Sequence, residues 1–205
     1  SYISEPFISL QSPHIINSDK GKLKITAQKV IPNSEFDVRQ FLIQYLSNPD
    51  DPEGYKPCNQ RIITLLQYKS WSDKGLPSRT SFLQFLIVYR IMREKMIYKH
   101  SPIVVHCSAG AGRTGTFIAI DMMLDYISSE VTARRIPSLV RVADLVTALR
   151  ASRQRLIDQP VQYAWIYTFL QYVFWSPDRD RFGIFQPFPI TNHVVPGTPP
   201  ATLRK

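Results

Sequence analysis

Between Ile103 and Gly115 the chain reads IVVHCSAGAGRTG. Three β-branched residues in a row predict a short strand of the kind buried in a sheet's centre, ending at His106. Cys107 opens a loop of small residues, Ser108, Ala109, Gly110, Ala111 and Gly112, which Arg113 closes six positions after the cysteine. The periodicity then predicts a helix over Thr114–Ser128. Small residues let the backbone curl so that successive N–H groups point inward. A helix N-terminus aims further N–H groups and the positive end of its dipole at the same point. The planar fork of Arg113 matches the oxygens of a phosphate. Such a segment folds into a cup for a tetrahedral dianion, with a sulfur at its floor.

That setting ionises the sulfur. A free thiol titrates near ~8.5, and helix N-termini and neighbouring cations lower it to roughly 3.5–7.5. Cys107 is therefore the candidate nucleophile, attacking phosphorus in line while the loop N–H groups and Arg113 stabilise the equatorial oxygens. His106 is placed to fix the loop and to help lower the thiol. The Thr114 hydroxyl is placed to donate to the sulfur as it departs in a second step.

The rest of the chain supplies a mixed α/β or α+β layer structure around this loop. Alternation predicts strands at Lys22–Val30, Asp37–Leu46 and Arg61–Tyr68, with a loop over Asn48–Pro57. Helical spacing predicts further helices over Ser81–Tyr98, Leu139–Arg153 and Pro160–Trp175. Residues 1–21 are weakly patterned. From Ser176 onward, six of the chain's 16 prolines fall in a stretch with little periodicity, read as a flexible tail. A length of 205 residues suits one domain. With aromatics at 12%, the chain is not disordered throughout. Its apolar runs fall short of the ~20 residues a bilayer span needs, and the first residues do not read as a secretory signal. The net charge of +9 favours an anionic partner. Two cysteines and no glycosylation sequon point to a reducing compartment. The start at Ser1 suggests a piece of a longer chain.

HCSAGAGRTG resembles the signature of the cysteine-dependent protein tyrosine phosphatases: a His-Cys pair, five residues, then Arg-Ser/Thr-Gly. It departs from the commonest wording only at Ala111. The likeness extends upstream to WSDKGLP, which is similar to the family's mobile acid loop, usually Trp-Pro-Asp-x-Gly-x-Pro. There Asp73, 34 residues before Cys107, would protonate the leaving tyrosine oxygen and later deprotonate water. Trp71 would anchor the loop's hinge, and Ser72 replaces the usual proline. Downstream, LRASRQRLIDQPVQY resembles the segment that ends in two glutamines. Gln162 falls on the second of these, and Asp158 falls where the first would position the hydrolytic water. The resemblance implies a twisted central mixed sheet flanked by helices, covering residues 22–175 and lacking the family's N-terminal part.

The resemblance further implies a protein tyrosine phosphatase working through a cysteinyl-phosphate on phosphotyrosine-containing proteins. It implies no cofactor and no metal, and a cytoplasmic setting or the cytoplasmic part of a membrane receptor. The catalytic candidates are Cys107, Arg113, Asp73, Thr114, His106, Gln162 and Asp158. The substrate-binding candidates are Ser108, Ala109, Gly110, Ala111, Gly112, Arg113 and Trp71. The alternative is a phosphatase-fold module that captures phosphotyrosine with little turnover. Dual-specificity and lipid phosphatases share the Cys–Arg loop, but the lipid enzymes tend to carry lysines inside it, and this loop has none. Nucleic-acid binding has only the net charge in its favour, and no segment here inserts into a membrane.

Overall fold

Twelve-residue β-rich runs separated by short turns build a meander, and the computed structural model shows one. It describes residues 13–18, 21–46, 57–94, 102–138 and 141–175. Four strands, β1 (His14–Ser18), β2 (Gly21–Pro32), β3 (Phe36–Leu46) and β4 (Pro57–Tyr68), lie in sequence order in one antiparallel sheet. Pairs such as Val38 with Leu66 and Phe36 with Tyr68 set the β3–β4 register, and a bulge lies between Ala27 and Lys29 on β2. β1 falls inside the stretch expected to be irregular; its HIINS run is too short to show an alternation.

Four helices follow: α1 (Arg79–Glu94), α2 (Gly112–Thr132), α3 (Arg141–Ser152) and α4 (Pro160–Trp175). The α+β architecture expected from the sequence is therefore present, with the described sheet antiparallel throughout. The end of the expected first helix, residues 95–98, and the stretch after Ser176 lie outside the described residues.

One expectation fails. Residues 103–105 belong to no strand, with Val104 84% and Ile103 44% exposed. An apolar β-branched run becomes a central strand only when neighbours pair with both of its edges. Among the described residues, the four-stranded meander closes its ladder without it.

Alternation along the sheet puts Phe36, Val38, Leu66 and Tyr68 on one face, where they meet the helices. Tyr68 packs edge-on to Trp71 and Phe82, and Phe36 packs edge-on to Phe85. Phe82 also meets Trp165 and Phe169 of α4 at centroid distances of 5.2 and 5.1 Å. α2 runs through the middle of this core and buries Ala119, Ile120, Met123 and Leu124. A helix enclosed by neighbours needs no wide polar face, which is why α2 is weakly amphipathic. The buried carboxylate of Asp121 on α2 accepts from Tyr89, Arg90 and Arg93 of α1. That network fixes α2, and with it the loop that precedes α2.

Candidate active site

α2 begins at Gly112 with no side-chain hydrogen bond capping its N-terminus. The first N–H groups of a helix need an acceptor. Here the Cys107 sulfur takes that place. Burial works against its ionisation. The Thr114 hydroxyl, buried beside the sulfur with no closer hydrogen-bond partner, and the N–H groups of Thr114, Ala111 and Gly110 outweigh it and bring the thiol down to about 7. Gly110 takes the positive φ of 64° that the curl of this loop demands. His106 is exposed; its Nδ1 lies 3.3 Å from the Cys107 carbonyl oxygen, and the contacts that lower the thiol come from Thr114 and the loop.

Arg113 joins the cup to the acid loop. Its Nη1 donates to the Trp71 carbonyl at 3.0 Å, and its Nη2 reaches Asp73 Oδ1 at 3.3 Å and Ser108 Oγ at 2.6 Å. Its Nε is buried with no partner. Trp71 opens the WSDKGLP segment. Its ring is buried in the aromatic core, and its Nε1 donates to the Gly75 carbonyl at 2.9 Å. A hydrogen bond from Gly75 N–H to the Ser72 carbonyl closes the turn, and Lys74 sits there in the left-handed region at φ 59°. With Ser72 where a proline is usual, these bonds supply the turn's shape.

Gln162 is almost wholly buried, at 1% exposure, in the first turn of α4. Its Nε2 donates to the Gly75 carbonyl at 3.4 Å, and its Oε1, which has no partner, lies against Gly112 of the cup. Arg113 Nε and Gln162 Oε1 are thus a buried donor and a buried acceptor left without partners. Buried polar atoms are ordinarily paired, so each of these two calls for a ligand or water partner.

Asp158 is placed differently. Its Oδ1 accepts from Arg155 Nε and Nη2 at 3.0 and 2.9 Å, and its Oδ2 accepts from Gln159 Nε2 at 2.7 Å. The Gln159 amide and then the Arg155 guanidinium hold its carboxyl below the usual range, so it is charged and occupied. It also borders a cleft of about 300 Å³ lined by residues including Val146, Arg150, Ile157 and Tyr163.

Two arginines that the sequence reading left without a role bind backbone carbonyls, one in the cup and one in the segment packed against it. Arg153 Nη2 donates to the Ala109 carbonyl at 3.0 Å, and Arg150 holds the carbonyls of Leu156 and Ile157. Their only sequence signal is their place in the LRASR run.

The protein-tyrosine phosphatase family model matches residues 11–172, nearly the whole described chain. The chain belongs to the protein-tyrosine phosphatase family. Receptor-type tyrosine-protein phosphatase alpha of Mus musculus is 32% identical over 181 residues, covering 87% of this chain and 20% of the relative. Receptor-type tyrosine-protein phosphatase epsilon of Rattus norvegicus is 34% identical over 148 residues, covering 72% of this chain and 19% of the relative. A receptor-type tyrosine-protein phosphatase of Caenorhabditis elegans is 38% identical over 116 residues, covering 56% of this chain and 8% of the relative. The chain therefore spans a fifth or less of the length of these relatives. Among the described residues, no helix is long and apolar enough to cross a membrane.

Proposed function

We propose that this chain is the catalytic unit, spanning about residues 22–175, of a phosphatase that removes phosphate from tyrosine in proteins through a cysteinyl-phosphate. The observation that carries this reading is the sulfur of Cys107 standing as the cap of α2, with its thiol brought down to about 7.

In the first step the Cys107 thiolate attacks phosphorus opposite the tyrosine oxygen. The S–P bond forms as the P–O bond breaks, and Asp73 gives its proton to the leaving phenolate. The N–H groups of residues 108–113 and the Arg113 fork bind the equatorial oxygens. Arg113 Nε has no partner to give up, and Nη2 exchanges Ser108 and Asp73 for the substrate. In the second step water attacks phosphorus and gives its proton to Asp73. The P–S bond breaks, Thr114 donates to the departing sulfur, and inorganic phosphate leaves. Buried against the cup, Gln162 offers its free Oε1 to that water. His106 supports the Cys107 backbone.

One observation favours a weaker second step. Asp158, at the position of the family's water-holding glutamine, is a carboxylate engaged by Arg155 and Gln159. On this reading the domain captures phosphotyrosine well and turns it over slowly. The receptor-type names of the relatives support placing the domain on the cytoplasmic side of a membrane receptor. Turnover of a phosphotyrosyl peptide, compared with Cys107→Ser, tests the proposal. Release of phosphate by the parent and its loss of at least ~10⁴-fold in the variant are expected. Equal release by both would overturn it.

A further inference from the structure

Ile157 is fully buried and has φ of 60°, a left-handed conformation that a β-branched residue strongly disfavours. Such a backbone persists only when its surroundings over-determine it. Two of its contacts do so. Arg150, on α3, donates from Nε to the Leu156 carbonyl at 3.0 Å and from Nη2 to the Ile157 carbonyl at 2.9 Å. Ile157 N–H then donates to the Ala111 carbonyl at 3.3 Å, which also accepts from Gly115 N–H at 2.8 Å. No Cβ fits at Gly115, because it would stand 2.6 Å from the Ile157 nitrogen. The twisted segment therefore lies hard against the first turn of α2. With its carbonyl held from two sides, the Ala111–Gly112 peptide is fixed in place, and Ala111 keeps its own N–H, on the preceding peptide, facing the Cys107 sulfur.

We propose that Arg150 is a positioning residue for the phosphate cup. By clamping the carbonyls of Leu156 and Ile157, it holds Ile157 in its strained conformation and so anchors the Ala111 carbonyl, at the residue whose N–H faces Cys107. A guanidinium suits this task because its planar fork reaches two adjacent carbonyls at once, which a lysine ammonium does not do with fixed geometry. The inference rests on the reading of Cys107 as the nucleophile and adds how its acidity is set from outside the cup. The charged and titratable groups disposed around the cup are Asp73 and Lys74 of the acid loop, His106, Arg113, and Arg153, Arg155 and Asp158 of the segment before α4. None of them is altered by changing Arg150.

The test is the pH profile of Cys107 alkylation in the parent, Arg150→Met, Arg150→Lys and Val142→Ala, a core control on the same helix. The parent should titrate near 7. Arg150→Met should titrate about one pH unit higher, a tenfold change in acid constant, with Arg150→Lys in between. Val142→Ala should melt earlier and leave the profile in place. A folded Arg150→Met or Arg150→Lys with the parent's profile would overturn the inference, as would an equal shift in Val142→Ala. A parent that titrates as an ordinary thiol would instead overturn the nucleophile reading. If both Arg150 variants unfold, amide exchange in the parent decides. A strongly protected Ile157 N–H supports the clamp, and one that exchanges as fast as a loop amide contradicts it.

Discussion

Arg113 Nη1 donates to the carbonyl oxygen of Trp71 at 3.0 Å, so the arginine that closes the phosphate cup also holds the hinge of the acid loop. Asp73, two residues on, is drawn to the same guanidinium. In the proposed mechanism, phosphate binding and delivery of the acid would share this one side chain. A single fork thus ties the loop after Cys107 to a carboxylate 40 residues upstream of the arginine.

Asp73→Asn removes the proton donor. A loss of ~10²–10⁴ in kcat is expected with a phosphotyrosyl peptide. With an aryl phosphate whose phenol is a good leaving group, the loss should shrink, because that oxygen needs little protonation. Steady-state rates for the two substrates check this. Equal losses would remove Asp73 from the acid role.

The acid limb of kcat/KM should have its midpoint near 7, where the thiol titrates. The sign follows from the active form. The folded thiol lies below its ordinary value, so the thiolate is present above about 7 and is lost as pH falls through it. Thr114→Val removes the hydroxyl that favours the thiolate and should move this limb up by about one unit. A limb that stays in place would show that the backbone alone ionises the sulfur.

The cup was legible in the sequence because it is local. From Cys107 to Arg113 the cysteine, small residues and arginine lie within one turn and one helix start. Asp73 and Trp71 were legible through a second short motif. What could not be read there depends on segments meeting in space. Gln162 looks like an ordinary first-turn residue until α4 packs on α2, where it is buried between Gly112 and Gly75. Arg150 acts through carbonyls six and seven residues away, and backbone groups carry no side-chain signature. The run at 103–105 misleads for the converse reason, since its composition suits a central strand while strand formation depends on its neighbours. His106 is a related case. Adjacency in sequence suggested a hand in the sulfur's acidity, and the ring turns outward instead.

Asp158→Gln should quicken the second step. In the parent, rapid mixing with a good aryl phosphate is expected to give a burst followed by slow turnover, because a carboxylate tied to Arg155 and Gln159 orients water poorly. The variant should keep the burst rate and raise the steady-state rate several-fold. A linear time course in the parent would contradict this account of Asp158.

Asp121→Ala leaves Arg90 and Arg93 without the buried acceptor that joins α1 to α2. Asp125 still accepts from both arginines, so the cost is that of the lost buried hydrogen bonds, about 1–3 kcal/mol. Urea unfolding should show a loss of that size. A loss under ~1 kcal/mol would place the network among ordinary surface ion pairs.

The central claim is that phosphate passes through the sulfur of Cys107. Acid quenching within milliseconds of mixing with a labelled phosphotyrosyl peptide, followed by peptide mapping, tests it directly. The account predicts one phosphate per chain, on the peptide that contains Cys107, and none in Cys107→Ser. Turnover with no phosphate on that peptide, or label on another residue, would contradict it.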